Sequence, residues 1–237
     1  RILKKKCTTI IITSDKSYKN LEIKRGYKET DLIGGEDPYS ASKACAEIIT
    51  NSYARSIYKD SRNIKISTAR AGNVIGGGDW SMNRLIPDAI KSWLNNDVLI
   101  IRNPYSTRPW QHVLEPLRGY LLLGSYINEF DLKKKEFSDI SFNFGPRTDD
   151  VIKVEEVINM FSKYWDYANY KVESNSSDFE ASLLNLSYDK SSNILGWQPK
   201  LNAEKSLEFT AKWYKAQSQQ KDMFNFSSKQ IYEYIDL

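Results

Sequence analysis

Hydrophobic and polar positions alternate along this chain in blocks that predict a mixed α/β fold. Thr8–Thr13 reads TTIIIT, a β-branched run suited to a strand buried on both faces. Residues 14–37 are polar, charged and glycine-bearing, the profile of a long functional loop. After Pro38 a helix is expected from Tyr39 to about Tyr58, with Ala44, Ile48, Ile49 and Tyr53 as its apolar face. Ile64–Ala69 (IKISTA) is a second strand, so the chain opens as a βαβ unit. Gly72–Asp79 reads as a glycine-rich loop, followed by a helix over Arg84–Leu94 and a short strand over Val98–Arg102. A largely apolar helix is expected over His112–Tyr126 and a brief strand over Phe142–Phe144. Val154, Val157, Ile158, Phe161 and Trp165 fall at helical spacing. Short strands are expected at Lys171–Glu173 and Leu184–Leu186, and helices at Glu204–Lys215 and Gln230–Ile235.

The alternation implies the C-terminal part of a Rossmann-like, doubly wound parallel sheet, with a smaller α/β region for a nucleotide sugar. Within the 237 residues no G-x-G-x-x-G or G-x-x-G-x-x-G occurs, although such a turn normally opens a dinucleotide-binding domain. Gly76-Gly-Gly-Asp-Trp80 does not substitute for it, because no helix follows at once.

Composition narrows the classes. Hydrophobic residues make up 41% of the chain and aromatics 13%, which argues for a packed core. A net charge of +4 with mixed signs gives no reason to expect nucleic acid. The runs Lys4–Lys6 and Lys133–Lys135 read as solvated surface. Cys7 and Cys45 form no disulfide framework for a chain of this length and suit the cytoplasm. A single histidine, His112, speaks against a metal site built on several imidazoles, and it suits a packing or helix-start role. No apolar run approaches a membrane span.

The chemistry concentrates near the start. Tyr39 and Lys43 stand four apart on a helix and share a face. An ammonium beside a phenol favours the phenolate and makes it a base. Tyr-x-x-x-Lys is also a common accident, so its position at a helix start, after a strand and a glycine-bearing loop, matters. Thr13-Ser14-Asp15-Lys16 sets hydroxyl, carboxyl and amine side by side, either as a turn or as a proton-moving cluster.

These segments, with Asp37-Pro38-Tyr39 and Arg70-Ala-Gly-Asn73, resemble the extended short-chain dehydrogenase/reductase family. Asp15-Lys16 after the hydroxyl residue, GGGDW at 76–80 and RPWQHVLEP at 108–116 resemble its CDP-glucose 4,6-dehydratases. LGWQP at 195–199, then Leu207 and Trp213-Tyr214, is similar to the family's C-terminal segment. The resemblance implies a lyase that binds NAD and converts CDP-glucose to CDP-4-dehydro-6-deoxyglucose for deoxysugar and surface-polysaccharide synthesis. It implies Ser14, Asp15, Lys16, Tyr39 and Lys43 as catalytic residues, with Thr13, Tyr39, Lys43, Gly72 and Asn73 at the cofactor. Asn73, Arg84 and Arg108 are the expected substrate contacts. Arg102 reads more readily as part of a surface turn. Trp80 and Trp110 suit stacking or packing about equally. Many relatives carry an arginine shortly before Leu-Gly-Trp, where this chain reads Phe179-Glu-Ala-Ser182, so the diphosphate contact falls on Arg108.

The expected division is 1–74 as the remaining half of the NAD-binding domain, joined again near 112–145, and 75–237 as mainly the nucleotide-sugar region. Two alternatives stay open: a UDP-N-acetylhexosamine 4,6-dehydratase or another nucleotide-sugar epimerase or dehydratase, and an inactive truncated remnant that binds nucleotide sugar only. The 237 residues alone are expected to lack dehydratase activity and to bind NAD weakly or not at all. A homo-oligomer is expected of a full-length form, with no membrane or nucleic-acid partner.

Overall fold

The computed structural model describes residues 5–23, 25–61, 63–129, 137–147, 151–173 and 185–237. Lys4, Lys133–Lys135, Phe179–Ser182 and Leu184 lie outside the described residues. The chain divides into two compact units. The first comprises Arg1–Gly72, Glu115–Pro146 and Leu183–Pro199, and the second Asn73–Leu114, Arg147–Ser182 and Lys200–Leu237.

In the first unit, β1 (Cys7–Ile12), β2 (Ile64–Ala71) and β6 (Ser141–Phe144) form a parallel sheet in the order β1-β2-β6. Cys7 stands opposite Ile64, and Thr68 opposite Ser141. Helix α1 (Pro38–Ser56) joins β1 to β2, and α3 (Leu114–Asn128) and α5 (Asp189–Leu195) complete the unit. The βαβ reading therefore holds. Gly119 of α3 lies so close to the Phe144 ring that a Cβ there would overlap it, which lets helix and sheet pack tightly. Gly196 ends α5 in the left-handed conformation at φ 63°, and Trp197 then drops fully buried beside Phe144, ring centroids 5.1 Å apart. The Trp197 indole N–H donates to the Glu115 carbonyl at 3.1 Å. Leu-Gly-Trp is thus a stop signal followed by a core anchor.

The face of α1 differs from expectation. Ile48, Ile49 and Tyr53 are exposed, while Ala44, Glu47, Thr50, Asn51 and Ala54 point inward. The reason is a buried ion pair. Glu47 and Arg70 are both fully buried, with Arg70 Nε 2.8 Å from Glu47 Oε1 and Nη2 3.0 Å from Oε2. Burial opposes both charges; the paired geometry outweighs it, holding the Glu47 carboxyl below and the guanidinium above their usual ranges.

In the second unit, β3 (Asn73–Ile75) runs parallel to β5 (Thr107–His112), which pairs antiparallel with β7 (Val151–Lys153). A parallel two-stranded sheet joins β4 (Leu99–Ile101) to β8 (Tyr170–Val172). Helices α2 (Leu85–Leu94), α4 (Val154–Ser162), α6 (Ala203–Ser218) and α7 (Met223–Ile235) surround them. Ile90, Trp93, Trp110, Val157, Phe161 and Leu207 belong to one buried cluster. Two expectations are corrected here. Asn73–Ile75 is a strand rather than loop, and His112 ends β5 rather than opening a helix. Trp165 lies beyond the end of α4, and α7 begins seven residues before Gln230, at Met223. Among the described residues no helix is long and apolar enough to cross a membrane.

His112 is buried, its Nδ1 accepting from the Leu114 amide at 3.3 Å and its ring edge-on to Phe209. It thus serves the start of α3. Burial pushes its pKa down to about 4.

Two outcomes follow. Arg70→Met leaves an unpaired buried carboxylate, so it should cost about 3–5 kcal/mol of unfolding free energy, measured by urea denaturation. For His112 the folded value lies below the unfolded one, so the unfolded chain takes up the proton first as the pH falls. Its contribution should be complete above about pH 6.5 and should fall by on the order of 3 kcal/mol toward pH 4. Denaturation midpoints of wild type and His112→Asn between pH 7 and 4.5 should converge as the pH drops; parallel curves would exclude this role.

Candidate active site

Strand β1 delivers the candidate cluster. Its last bond to β2 continues one residue further, from the Thr13 amide to the Ala69 carbonyl at 2.8 Å. The chain then makes a single 3-10 turn, Asp15–Ser17. Ser14 caps it: its Oγ donates to Asp15 Oδ1 at 2.8 Å and accepts from the Lys16 amide at 3.2 Å. Ser14 and Asp15 are buried, while Lys16 is half-buried. Hydroxyl and carboxyl are therefore locked together at the carboxyl end of a parallel strand, where open α/β sheets gather ligands.

The long loop that follows is not slack. Tyr18 and Ile33 form a bridge, the Gly34 amide donates to the Ser17 carbonyl at 2.9 Å, and Tyr18 and Tyr27 stack 5.0 Å apart. Tyr27 in turn pairs with Leu186. The loop returns to α1 through Gly35, where a Cβ would overlap Ser40 and stand 2.7 Å from the Ala41 nitrogen. Asp37 caps the helix, its Oδ1 accepting from the amides of Tyr39 at 2.9 Å and Ser40 at 3.0 Å, and Pro38 fills the first turn. The Ser40 hydroxyl and these amides hold the Asp37 carboxyl below its usual range, with the Lys16 ammonium contributing.

This entry angle leaves Tyr39 54% exposed at the head of α1. Lys43 Nζ stands 5.8 Å from the centre of its ring. The first unit thus holds Ser14, Asp15, Lys16, Tyr39 and Lys43. Thr13 is placed differently from a simple ligand-facing residue: its hydroxyl donates to Glu47 Oε1 at 2.5 Å.

Gly72 follows β2 directly, and Asn73 opens β3 opposite Trp110. In the second unit Arg84 precedes α2, exposed, its Nε 4.0 Å from Asp79 Oδ2. Arg108 lies in β5 opposite Ile152, with Nη1 donating to the Thr107 carbonyl at 2.9 Å. Arg102 is exposed after β4. Trp110 is buried in the core cluster, whereas Trp80 is part-exposed and edge-on to Tyr214. The Gly76–Trp80 loop is held from α6. The Trp213 indole packs so close to Gly77 that a Cβ there would stand 2.0 Å from its Cδ2, and the Tyr214 hydroxyl donates to the Asp79 carbonyl at 2.6 Å.

The chain matches the family model described as GDP-mannose 4,6 dehydratase over residues 1–210. It belongs to that family. Among curated relatives, this dehydratase-family chain is 41% identical over 229 residues to a CDP-glucose 4,6-dehydratase of Salmonella typhimurium, covering 94% of this chain and 63% of that protein. A dTDP-D-glucose 4,6-dehydratase of Dictyostelium discoideum is 25% identical, with 86% of this chain and 51% of the relative covered. The chain therefore spans less than two thirds of these relatives. Its fold is similar to a solved dTDP-glucose 4,6-dehydratase of Bacillus anthracis in complex with NAD, with a TM-score of 0.70, 20% identity, and 90% of this chain and 63% of that one covered. It is also similar to a UDP-glucose-4-epimerase of Stenotrophomonas maltophila, with a TM-score of 0.74, 16% identity, and 90% and 65% covered. The Rossmann-like α/β class expected of the sequence is shown.

Sequence reasoning singled out neither Glu47 nor Tyr18. The available signal for Glu47 was its spacing: it stands one helical turn beyond Lys43, an acid on the face of α1 that continues from Tyr39.

The backbone contact at Gly35 gives a direct check. Gly35→Ala should cost about 1–3 kcal/mol, because backbone must move. Gly34→Ala, whose Cβ would meet only the Lys19 Cβ at 3.6 Å, should change stability by about 0.5 kcal/mol or less. Paired thermal melts would distinguish the two.

Proposed function

We propose that the chain carries the proton-transfer and substrate-binding machinery of a nucleotide-sugar 4,6-dehydratase acting on CDP-glucose. The carrying observation is the joint placement, in one unit, of the Ser14–Asp15–Lys16 turn at the end of β1 and the Tyr39/Lys43 pair at the head of α1. The 41% identity to a CDP-glucose 4,6-dehydratase supports the nucleotide and sugar.

Tyr39, Lys43, Gly72 and Asn73 would hold the nicotinamide end of NAD. The fit rests on an exposed phenol with an ammonium beside it, at the carboxyl ends of parallel strands. Bound there, NAD would accept the C4 hydride of the sugar and return it at C6. Tyr39 removes the C4 hydroxyl proton, and Lys43 stabilises the phenolate. Ser14 orients the reacting oxygen. Oxidation at C4 acidifies the C5 proton, which the Lys16 amine removes and returns to C5 once the hydride has reached C6. Asp15 protonates the C6 hydroxyl as it departs as water. Arg84 and Arg108 bind the diphosphate by charge-assisted hydrogen bonds. The product is CDP-4-dehydro-6-deoxyglucose.

The half-reactions provide the test, in the native polypeptide that carries this chain. Tyr39→Phe should abolish turnover and leave CDP-glucose binding within about threefold. Asp15→Asn and Lys16→Met should retain C4 oxidation, seen as NADH absorbance, while water loss slows by about two orders of magnitude. Loss of the NADH signal in step with dehydration would place Asp15 and Lys16 earlier in the reaction, and near wild-type turnover in Tyr39→Phe would remove Tyr39 from it.

A further inference from the structure

The two catalytic segments sit on separate elements, and one buried side chain joins them. Ser14, Asp15 and Lys16 follow the end of β1, whereas Tyr39 and Lys43 ride on α1. Thr13 is the last residue before the cluster and is 6% exposed. Its hydroxyl donates to Glu47, which lies eight residues beyond Tyr39 on α1, about 12 Å along the helix axis. Glu47 is in turn immobilised: Arg70 grips both its oxygens, and Thr68 donates to Oε2 at 2.6 Å. The carboxylate is therefore a fixed point on the helix, and Thr13 ties the end of β1 to it.

We propose that Thr13 is a positioning residue, whose bond to Glu47 sets the register between the Ser14–Lys16 turn and the Tyr39 helix. This rests on the proposed function for its catalytic consequence, though not for its geometry. The hydroxyl proton of Thr13 is committed to an ionised carboxylate, a bond stronger than a neutral one. It acts on the reaction through the residues it aligns, rather than by donating to cofactor or sugar. A shift of the turn relative to α1 would separate Ser14 and Asp15 from the sugar atoms that Tyr39 addresses, and misplacement by about 1 Å costs rate far more than affinity.

Thr68 supplies the matched control. It donates to the same carboxylate, but from within β2, away from the cluster. Thr13→Val and Thr68→Val should therefore lower thermal stability by similar amounts. Hydrogen exchange on the 237-residue chain reads the register directly, because the Lys16, Ser17 and Tyr18 amides hold the turn by bonding to Ser14 Oγ, Ser14 O and Asp15 O. Thr13→Val should speed their exchange by about tenfold, the scale of one hydrogen bond to a charged group, and leave the amides within β1 unchanged. Thr68→Val should leave the turn amides unchanged, and Thr13→Ser should restore them. In the native polypeptide, Thr13→Val should lower kcat by about tenfold or more with KM for CDP-glucose within twofold, and Thr68→Val should keep kcat within about twofold. Equal effects of the two valine variants on turn exchange, or none from Thr13→Val, would overturn the assignment. Absence of wild-type turnover would instead remove the proposed function, and the exchange pattern alone would then decide the role of Thr13.

Discussion

The bidentate contact between Glu47 and Arg70 is the constraint around which the first unit is arranged. Two full charges out of water are tolerable only when each is almost completely coordinated. The unit meets that requirement with side chains from several elements. Thr13 donates to the carboxylate from just beyond β1, and Thr68 from within β2. Arg70 Nη1 donates to the Tyr18 hydroxyl, and its guanidinium lies 4.6 Å from the centre of that ring. Tyr18 then donates to Asn143 Oδ1 at 2.9 Å, and the Asn143 backbone N–H donates to the Glu29 carboxylate at 2.8 Å. Satisfying one ion pair thus fixes α1, all three strands of the sheet and the loop after β1. Burial raises the Tyr18 phenol well above its ordinary range, so it remains a neutral donor within the network.

This polar core explains where sequence reading succeeded and where it did not. Strands β1 and β2 were legible because β-branched runs have few alternatives, and α1 was legible from Pro38 and the spacing behind it. Its orientation was not. Ile48, Ile49 and Tyr53 look like a core stripe, and hydrophobicity alone gives no reason to bury Glu47 in preference to isoleucine. The decisive partner, Arg70, sits 23 residues away in a strand, so the pairing is tertiary information. The same limit hid β5, since Pro109 and the glycines near β3 carry turn signals that tertiary pairing overrides.

The candidate site was more legible than its supports. Ser14, Asp15 and Lys16 are consecutive, and Tyr39 and Lys43 are one helical turn apart, so local spacing singled them out as candidates and the resemblance of the longer motifs gave them roles. What holds them is non-local: the Thr13–Glu47 bond, and a loop pinned through Tyr18 to Asn143 and through Tyr27 to Leu186. Chemistry here is written in short words, and its geometry in long-range contacts.

The Trp213 ring lying against Gly77 carries an evolutionary consequence. Glycine at 77 and tryptophan at 213 fill one space between them, although a long stretch of chain separates them. Neither position can drift alone: a side chain at 77 requires a smaller residue at 213, and a smaller residue at 213 opens a void under the loop. Descendants of this sequence should inherit the two as a single character. A lineage that altered the loop would carry the compensating change in α6 as its historical trace.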